Sequence, residues 1–187
     1  MNHRTWNQNT RVGFLLLHGW TDARDFPEAC QMQRFASVCY PQAPRRWWNF
    51  LLPPRWTRQH VPALADLAEA YFQEFDLQYL AIGGHSQGCE VLHYLAAELV
   101  ERGRAPLGLV HYSGRLRGQP VVRSIERVIV AIGCDDPIRK MRLATEATAA
   151  AYGVQVTEFV GRHRWPASAS MALALHFESI IGRGDEV

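Results

Sequence analysis

Apolar positions along this chain fall into short, nearly continuous runs bounded by turn-forming residues: Val12–Leu17, Ser37–Tyr40, Leu77–Ile82, Leu107–Tyr112, Val128–Ile132 and Val154–Val160. Runs of this length that do not alternate with polar residues predict strands covered on both faces, as in a parallel sheet. Between them the spacing shifts to the helical period. Leu64, Leu67, Ala68, Tyr71 and Phe75 fall on one stripe, Leu92, Leu95, Ala96 and Leu99 on a second, and Leu173, Phe177, Ile180 and Ile181 on a third. Asp25-Phe26-Pro27-Glu28 reads as a capping box that opens a short helix. Asp136-Pro137 reads as the start of a helix running to about Tyr152. Strands alternating with helices predict a doubly wound α/β fold of about six mostly parallel strands, flanked by helices on both faces through right-handed crossovers. No internal repeat is visible, and residues 1–187 read as one domain.

One stretch breaks the alternation. Residues 41–62 are rich in proline and carry Arg45, Arg46, Trp47, Trp48, Phe50, Leu51, Leu52 and Trp56. A connection of that length is usually functional or mobile, so it reads as an insertion above the sheet. Trp47, Trp48 and Phe50 are candidates for an apolar acyl-binding wall; a loop packing its aromatics on the fold and a partner-binding patch are the alternatives.

Composition narrows the function classes. Of the 187 residues 48% are apolar and 20% charged, which excludes a disordered chain. A net charge of +2 argues against nucleic acid as a partner. No segment has the roughly 18 uninterrupted apolar residues of a membrane span. The polar start MNHRTWNQNTR lacks the apolar core of a secretion signal, so a cytoplasmic location is expected. Cys30, Cys39, Cys89 and Cys134 show no ligand spacing and read as reduced, mostly buried thiols. HExxH, GxxxxGK[ST] and GxGxxG are all missing, so no metal, nucleotide or dinucleotide cofactor is expected. Arg115, Arg117, Arg123, Arg127, Arg139, Lys140 and Arg142 read as a solvated positive face, with attraction of an anionic substrate as the alternative.

The chemical signal is Gly84-His85-Ser86-Gln87-Gly88, placed between an apolar run and an amphipathic stripe. A serine on a sharp strand-to-helix turn presents its hydroxyl above the sheet, and glycines two residues either side remove clashing Cβ atoms. The hydroxyl needs a base. Of eight histidines, His163 follows the last predicted strand, where a base belongs in such a sheet. His93, His111 and His176 fall inside predicted elements, His3 and His60 in segments with nothing to position them. His85 is expected to point away from the cleft. The third member, which orients the imidazole, is Asp136, with Asp135 in reserve; the competing reading of Asp136 is a helix cap. Backbone amides of Gln87 and Trp20 are expected to stabilise an oxyanion, with His18 holding the His18-Gly19-Trp20 loop by hydrogen bonds.

Taken in order, Leu15–Asp22, Tyr40-Pro41-Gln42-Ala43-Pro44, Gly84–Gly88, Gly133-x-x-Asp136 and His163 resemble the α/β-hydrolases. The nearest branch is the phospholipase/carboxylesterase group that includes acyl-protein thioesterases. Thr21 and Cys89 stand where that group often has glycine. The resemblance implies a serine hydrolase acting on a small ester or thioester through an acyl-enzyme, without cofactor. Ser86, Asp136 and His163 match its triad, and Trp20 and Gln87 its oxyanion positions. A ligand-binding protein on the same scaffold, or a hydrolase of amide or carbon–carbon bonds, are the other expectations.

Overall fold

The computed structural model describes residues 3–6, 11–19, 37–44, 55–117, 120, 125, 127–165 and 167–184. Among them seven strands form one sheet: β1 (His3–Trp6), β2 (Val12–Leu17), β3 (Ser37–Pro41), β4 (Tyr79–His85), β5 (Gly108–Tyr112), β6 (Val128–Gly133) and β7 (Val156–Phe159), in the order β1-β3-β2-β4-β5-β6-β7. The six from β2 to β7 run parallel, matching the expected number. β1 adds an antiparallel edge on β3. Four helices are described: α1 (Val61–Glu74), α2 (Cys89–Glu101), α3 (Arg139–Tyr152) and α4 (Ala167–Gly184). None is long and apolar enough to cross a membrane.

The pleat divides the core in two. Leu15, Leu17, Ile82 and Leu109 turn to one face, where they pack with Leu64, Ala68, Leu92 and Leu95 of α1 and α2. Phe14, Leu16, Val110 and Tyr112 turn to the other, where they meet Trp165 and then Leu173 and Phe177 of α4. Neighbouring residues of each central strand thus serve opposite cores, so these strands read as continuous apolar runs.

Several elements depart from expectation. β4 starts later and reaches His85, because Leu77 still closes α1 through its N–H to Phe72 O at 3.0 Å. β7 spans only four residues with an exposed middle, as an edge strand allows. α3 starts at Arg139 with Ile138 as its N-cap and no capping side chain, not at Asp136-Pro137. The helix expected from Asp25-Phe26-Pro27-Glu28 lies outside the described residues, as do the side chains of Ile180 and Ile181.

In a parallel sheet, ligands collect at the carboxyl ends of strands where the winding reverses. Here that point lies between β2, whose chain leaves to β3 on one side, and β4 on the other. β2 ends at His18-Gly19 and β4 at His85-Ser86.

Candidate active site

Ser86 leaves β4 with φ 50°, a left-handed conformation rare for a residue with a side chain and costing about 1–3 kcal/mol. The neighbours hold it there. A Cβ on Gly84 would lie 2.7 Å from Cys89 N, and one on Gly88 would lie 2.8 Å from the Leu17 carbonyl carbon. Only glycine lets α2 begin this close to β2 and β4. The Cys89 thiol donates to Gly84 O at 2.9 Å, and burial pushes its pKa up, so it braces the turn as a protonated thiol.

His163 and Asp136 arrive on the loops after β7 and β6. Those loops are joined by the N–H of Cys134 to Phe159 O at 2.8 Å and that of Asp135 to Gly161 O at 2.9 Å. His163 Nδ1 lies 2.7 Å from Asp136 Oδ2, and Nε2 lies 3.1 Å from Ser86 Oγ. A carboxylate only accepts, so Nδ1 carries the hydrogen and Nε2 is left to accept the Ser86 proton. The Asp136 side chain is fully buried and that of His163 is 20% exposed, which leaves the imidazole reachable from the cleft. Asp136 Oδ1 accepts the N–H of Ile138 at 2.9 Å. The carboxylate therefore shapes the entry to α3 with one oxygen and holds His163 with the other. Asp135, the reserve candidate, is exposed.

His18 behaves as expected of a loop brace. Its Nε2 accepts the Ala43 N–H at 2.9 Å, which requires the hydrogen on Nδ1, 2.7 Å from Gly19 O. Gly19 approaches so closely that a Cβ there would lie 3.0 Å from Ser86 Cβ. Gln87 is buried in the first turn beyond the elbow, where backbone N–H groups lack intrahelical acceptors. Trp20, the other oxyanion candidate, and Trp47, Trp48 and Phe50 of the acyl-wall reading lie outside the described residues, as do Leu51, Leu52 and Arg123. Trp56 is described: it is buried and its indole N–H donates to His18 O at 3.1 Å, so this aromatic packs on the fold.

Three expectations are corrected. His85 does not point away from the site: its ring centroid lies 5.0 Å from that of His163 and 5.8 Å from that of Tyr112. Burial, with His163 beside it, pushes the His85 imidazole down to about 3, so it is a neutral wall behind His163. His60 is positioned after all, its Nδ1 accepting the Thr57 N–H at 3.0 Å. Cys134 is exposed in the turn after β6, while Cys39 and Cys89 are buried as expected. Sequence reading also missed Glu90, on which Arg55, Arg115 and Arg117 converge. Its signal was a lone acid one helical turn beyond the serine. Among the described residues no group of three or more His, Cys, Asp or Glu is placed to hold a metal ion.

No protein-family model and no curated protein sequence matches this chain. Solved structures do. A Bacillus cereus carboxylesterase is 18% identical with a TM-score of 0.62, over 96% of this chain and 94% of the other. YbtT, a type II thioesterase of the yersiniabactin pathway, is 15% identical with a TM-score of 0.67, over 95% and 98%. An Agrobacterium tumefaciens protein of unknown function is 17% identical with a TM-score of 0.59, over 95% of both chains. At these identities the likeness is one of architecture, and the chain has the α/β-hydrolase fold.

Proposed function

We propose that this protein is a serine hydrolase that cleaves carboxylic esters or thioesters through an acyl-enzyme. The observation that carries the reading is the hydrogen-bonded series from Ser86 Oγ to His163 Nε2, and from His163 Nδ1 to Asp136, at 3.1 and 2.7 Å. The resemblance of the ordered motifs to the α/β-hydrolases, and a fold shared with a carboxylesterase and a thioesterase, support it.

In this reading His163 takes the proton as Ser86 Oγ attacks the carbonyl carbon. The oxyanion is held by the N–H groups of Gln87 and Trp20. The leaving alcohol or thiol departs with the proton from His163, and water then attacks the acyl-enzyme with His163 again as base. Asp136 fixes the tautomer and stabilises the imidazolium in both halves. Trp47, Trp48 and Phe50 wall the acyl group, and no cofactor takes part.

The test pairs turnover with labelling. A fluorophosphonate should modify Ser86, identified by mass spectrometry of the peptide. Ser86→Ala should lower kcat for a 4-nitrophenyl ester by about 10⁴–10⁶-fold without changing the thermal midpoint. Full turnover by Ser86→Ala overturns the proposal, as does a chain that binds esters but never turns them over.

A further inference from the structure

Two loops and the N-terminal part of α2 frame a cavity just beyond the elbow. It measures about 310 Å³ and is lined by Arg55, Trp56, Arg58, Glu90, Tyr94 and Arg117. Three guanidinium groups meet one carboxylate there. Arg115 Nε lies 2.9 Å from Glu90 Oε1, while Arg117 Nε and Arg55 Nη2 lie 2.8 and 3.6 Å from Oε2. The Glu90 side chain is 12% exposed, whereas those of the arginines are 47–50% exposed.

One carboxylate neutralises one of these cations, so a surplus of two positive charges remains. Arg58, whose guanidinium lies 4.8 Å above the Tyr94 ring, lines the cavity with Arg55 and Arg117, so its lining also carries a surplus of two, while Arg115 reaches Glu90 from beside the lining. A guanidinium carries five N–H donors. Each of the three uses a single nitrogen on Glu90, and among the described residues the others have no acceptor. Like charges held this close repel unless an anion sits among them. The planar fork of arginine fits phosphate and carboxylate oxygens.

The position ties the cavity to the reaction. Glu90 stands one helical turn beyond Ser86. Gly114, next to Arg115, lies so near the elbow that its Cβ would be 2.5 Å from Ser86 O. Trp56, between Arg55 and Arg58, holds the His18 carbonyl. One arginine-bearing loop thus packs against Ser86 and the other against His18 at the end of β2.

We propose that this cavity is an anion subsite, so that the favoured substrates are esters or thioesters bearing a phosphate or carboxylate away from the scissile bond. The inference rests on the serine-hydrolase reading. Glu90 holds the guanidinium groups in place while the subsite is empty and competes with the arriving anion.

Two substrate pairs distinguish where that anion comes from. 4-Nitrophenyl hydrogen glutarate against 4-nitrophenyl pentanoate places a carboxylate on the acyl side. Butanoyl-coenzyme A against S-butanoyl-N-acetylcysteamine places phosphates on the thiol side. In one pair at least, kcat/KM should be about tenfold higher for the charged member. That ratio should fall to near one, through KM, in an Arg115→Gln/Arg117→Gln variant and in high salt. In Glu90→Gln it should rise, an effect of opposite sign that damage to the fold would not produce. A ratio that ignores the arginines in both pairs overturns the subsite while leaving the hydrolase standing. Calorimetric titration of Ser86→Ala with inorganic pyrophosphate reads the subsite without turnover. Binding that disappears when Arg115 and Arg117 are also replaced supports the subsite even where no ester is cleaved, the result that would end the hydrolase reading. Absence of pyrophosphate binding together with an unchanged ratio ends the subsite.

Discussion

Asp136 divides its two carboxylate oxygens between the Ile138 N–H and the His163 ring, at 2.9 and 2.7 Å. Asparagine at this position keeps the shape but must offer an NH2 group to one of those partners. With its oxygen kept on Ile138, the amide nitrogen faces Nδ1. That moves the imidazole hydrogen to Nε2, where it can no longer accept from Ser86. Asp136→Asn is therefore expected to lose about 10⁴-fold in kcat with little change in stability, whereas exposed Asp135→Asn stays within about twofold of wild type. Esterase kinetics on the two purified variants decide it, and similar rates for both would remove Asp136 from its assigned role. The sequence allowed Ser86, His163 and Asp136 to be picked because each follows an apolar run that ends at the same edge of the sheet. The helix-start and orienting readings of Asp136 looked like rivals because the residue type alone does not show that one oxygen holds the Ile138 N–H ahead of α3 while the other holds His163. His85 was misread because strand alternation was carried one residue too far. Ser86 already has φ 50°, so the elbow turns out of the strand and His85 keeps its ring beside Tyr112 and under His163.

At the scale of elements, the elbow depends on how near α2 comes to the ends of β2 and β4. At Gly88 a Cβ would be driven against the carbonyl oxygen and carbon of Leu17, both backbone atoms that move only if helix and strand separate. Gly153, after α3, is the control. It takes φ 69° as the helix cap, but its Cβ would meet nothing within 4 Å. Gly88→Ala should cost about 3 kcal/mol or more through overpacking, and Gly153→Ala only about 1 kcal/mol of backbone strain. Urea unfolding of the two proteins tests this, and equal losses would mean that the packing of α2 on β2 is not the constraint described. The strands buried on both faces were legible because their apolar runs have no other economical use. β1 was not: His3–Trp6 is a four-residue edge with three polar positions, and its pairing with β3 is specified by tertiary contact. The start of α3 was placed too early because Asp136 faces His163 in place of capping the helix.

Across the whole molecule, both halves of the core enclose imidazoles. His18, His85, His93 and His111 are buried. Burial pushes His85 and His111 each down to about 3, and burial with Arg58 nearby pushes His93 down to about 4. His111 faces Tyr152 across 5.3 Å and has His93 nearby, neither of which offers it a negative charge. In the unfolded chain these rings titrate near 6.5. Below that pH the unfolded state takes up protons that the folded state refuses, so stability is complete above about pH 6.5 and is lost as the pH falls towards 4. Each fully buried ring removes about 1.4 kcal/mol per pH unit within that window. His85 and His111 together then remove about 3 kcal/mol per unit, a large share of the 5–15 kcal/mol typical of a domain. Urea midpoints should fall steeply between pH 6.5 and pH 4.5 while changing little between pH 8 and pH 7. His111→Leu should make the acid decline shallower by about 1.4 kcal/mol per unit whatever it does to stability at pH 8. A variant whose slope matches that of the parent protein would show that His111 takes up its proton without unfolding the sheet.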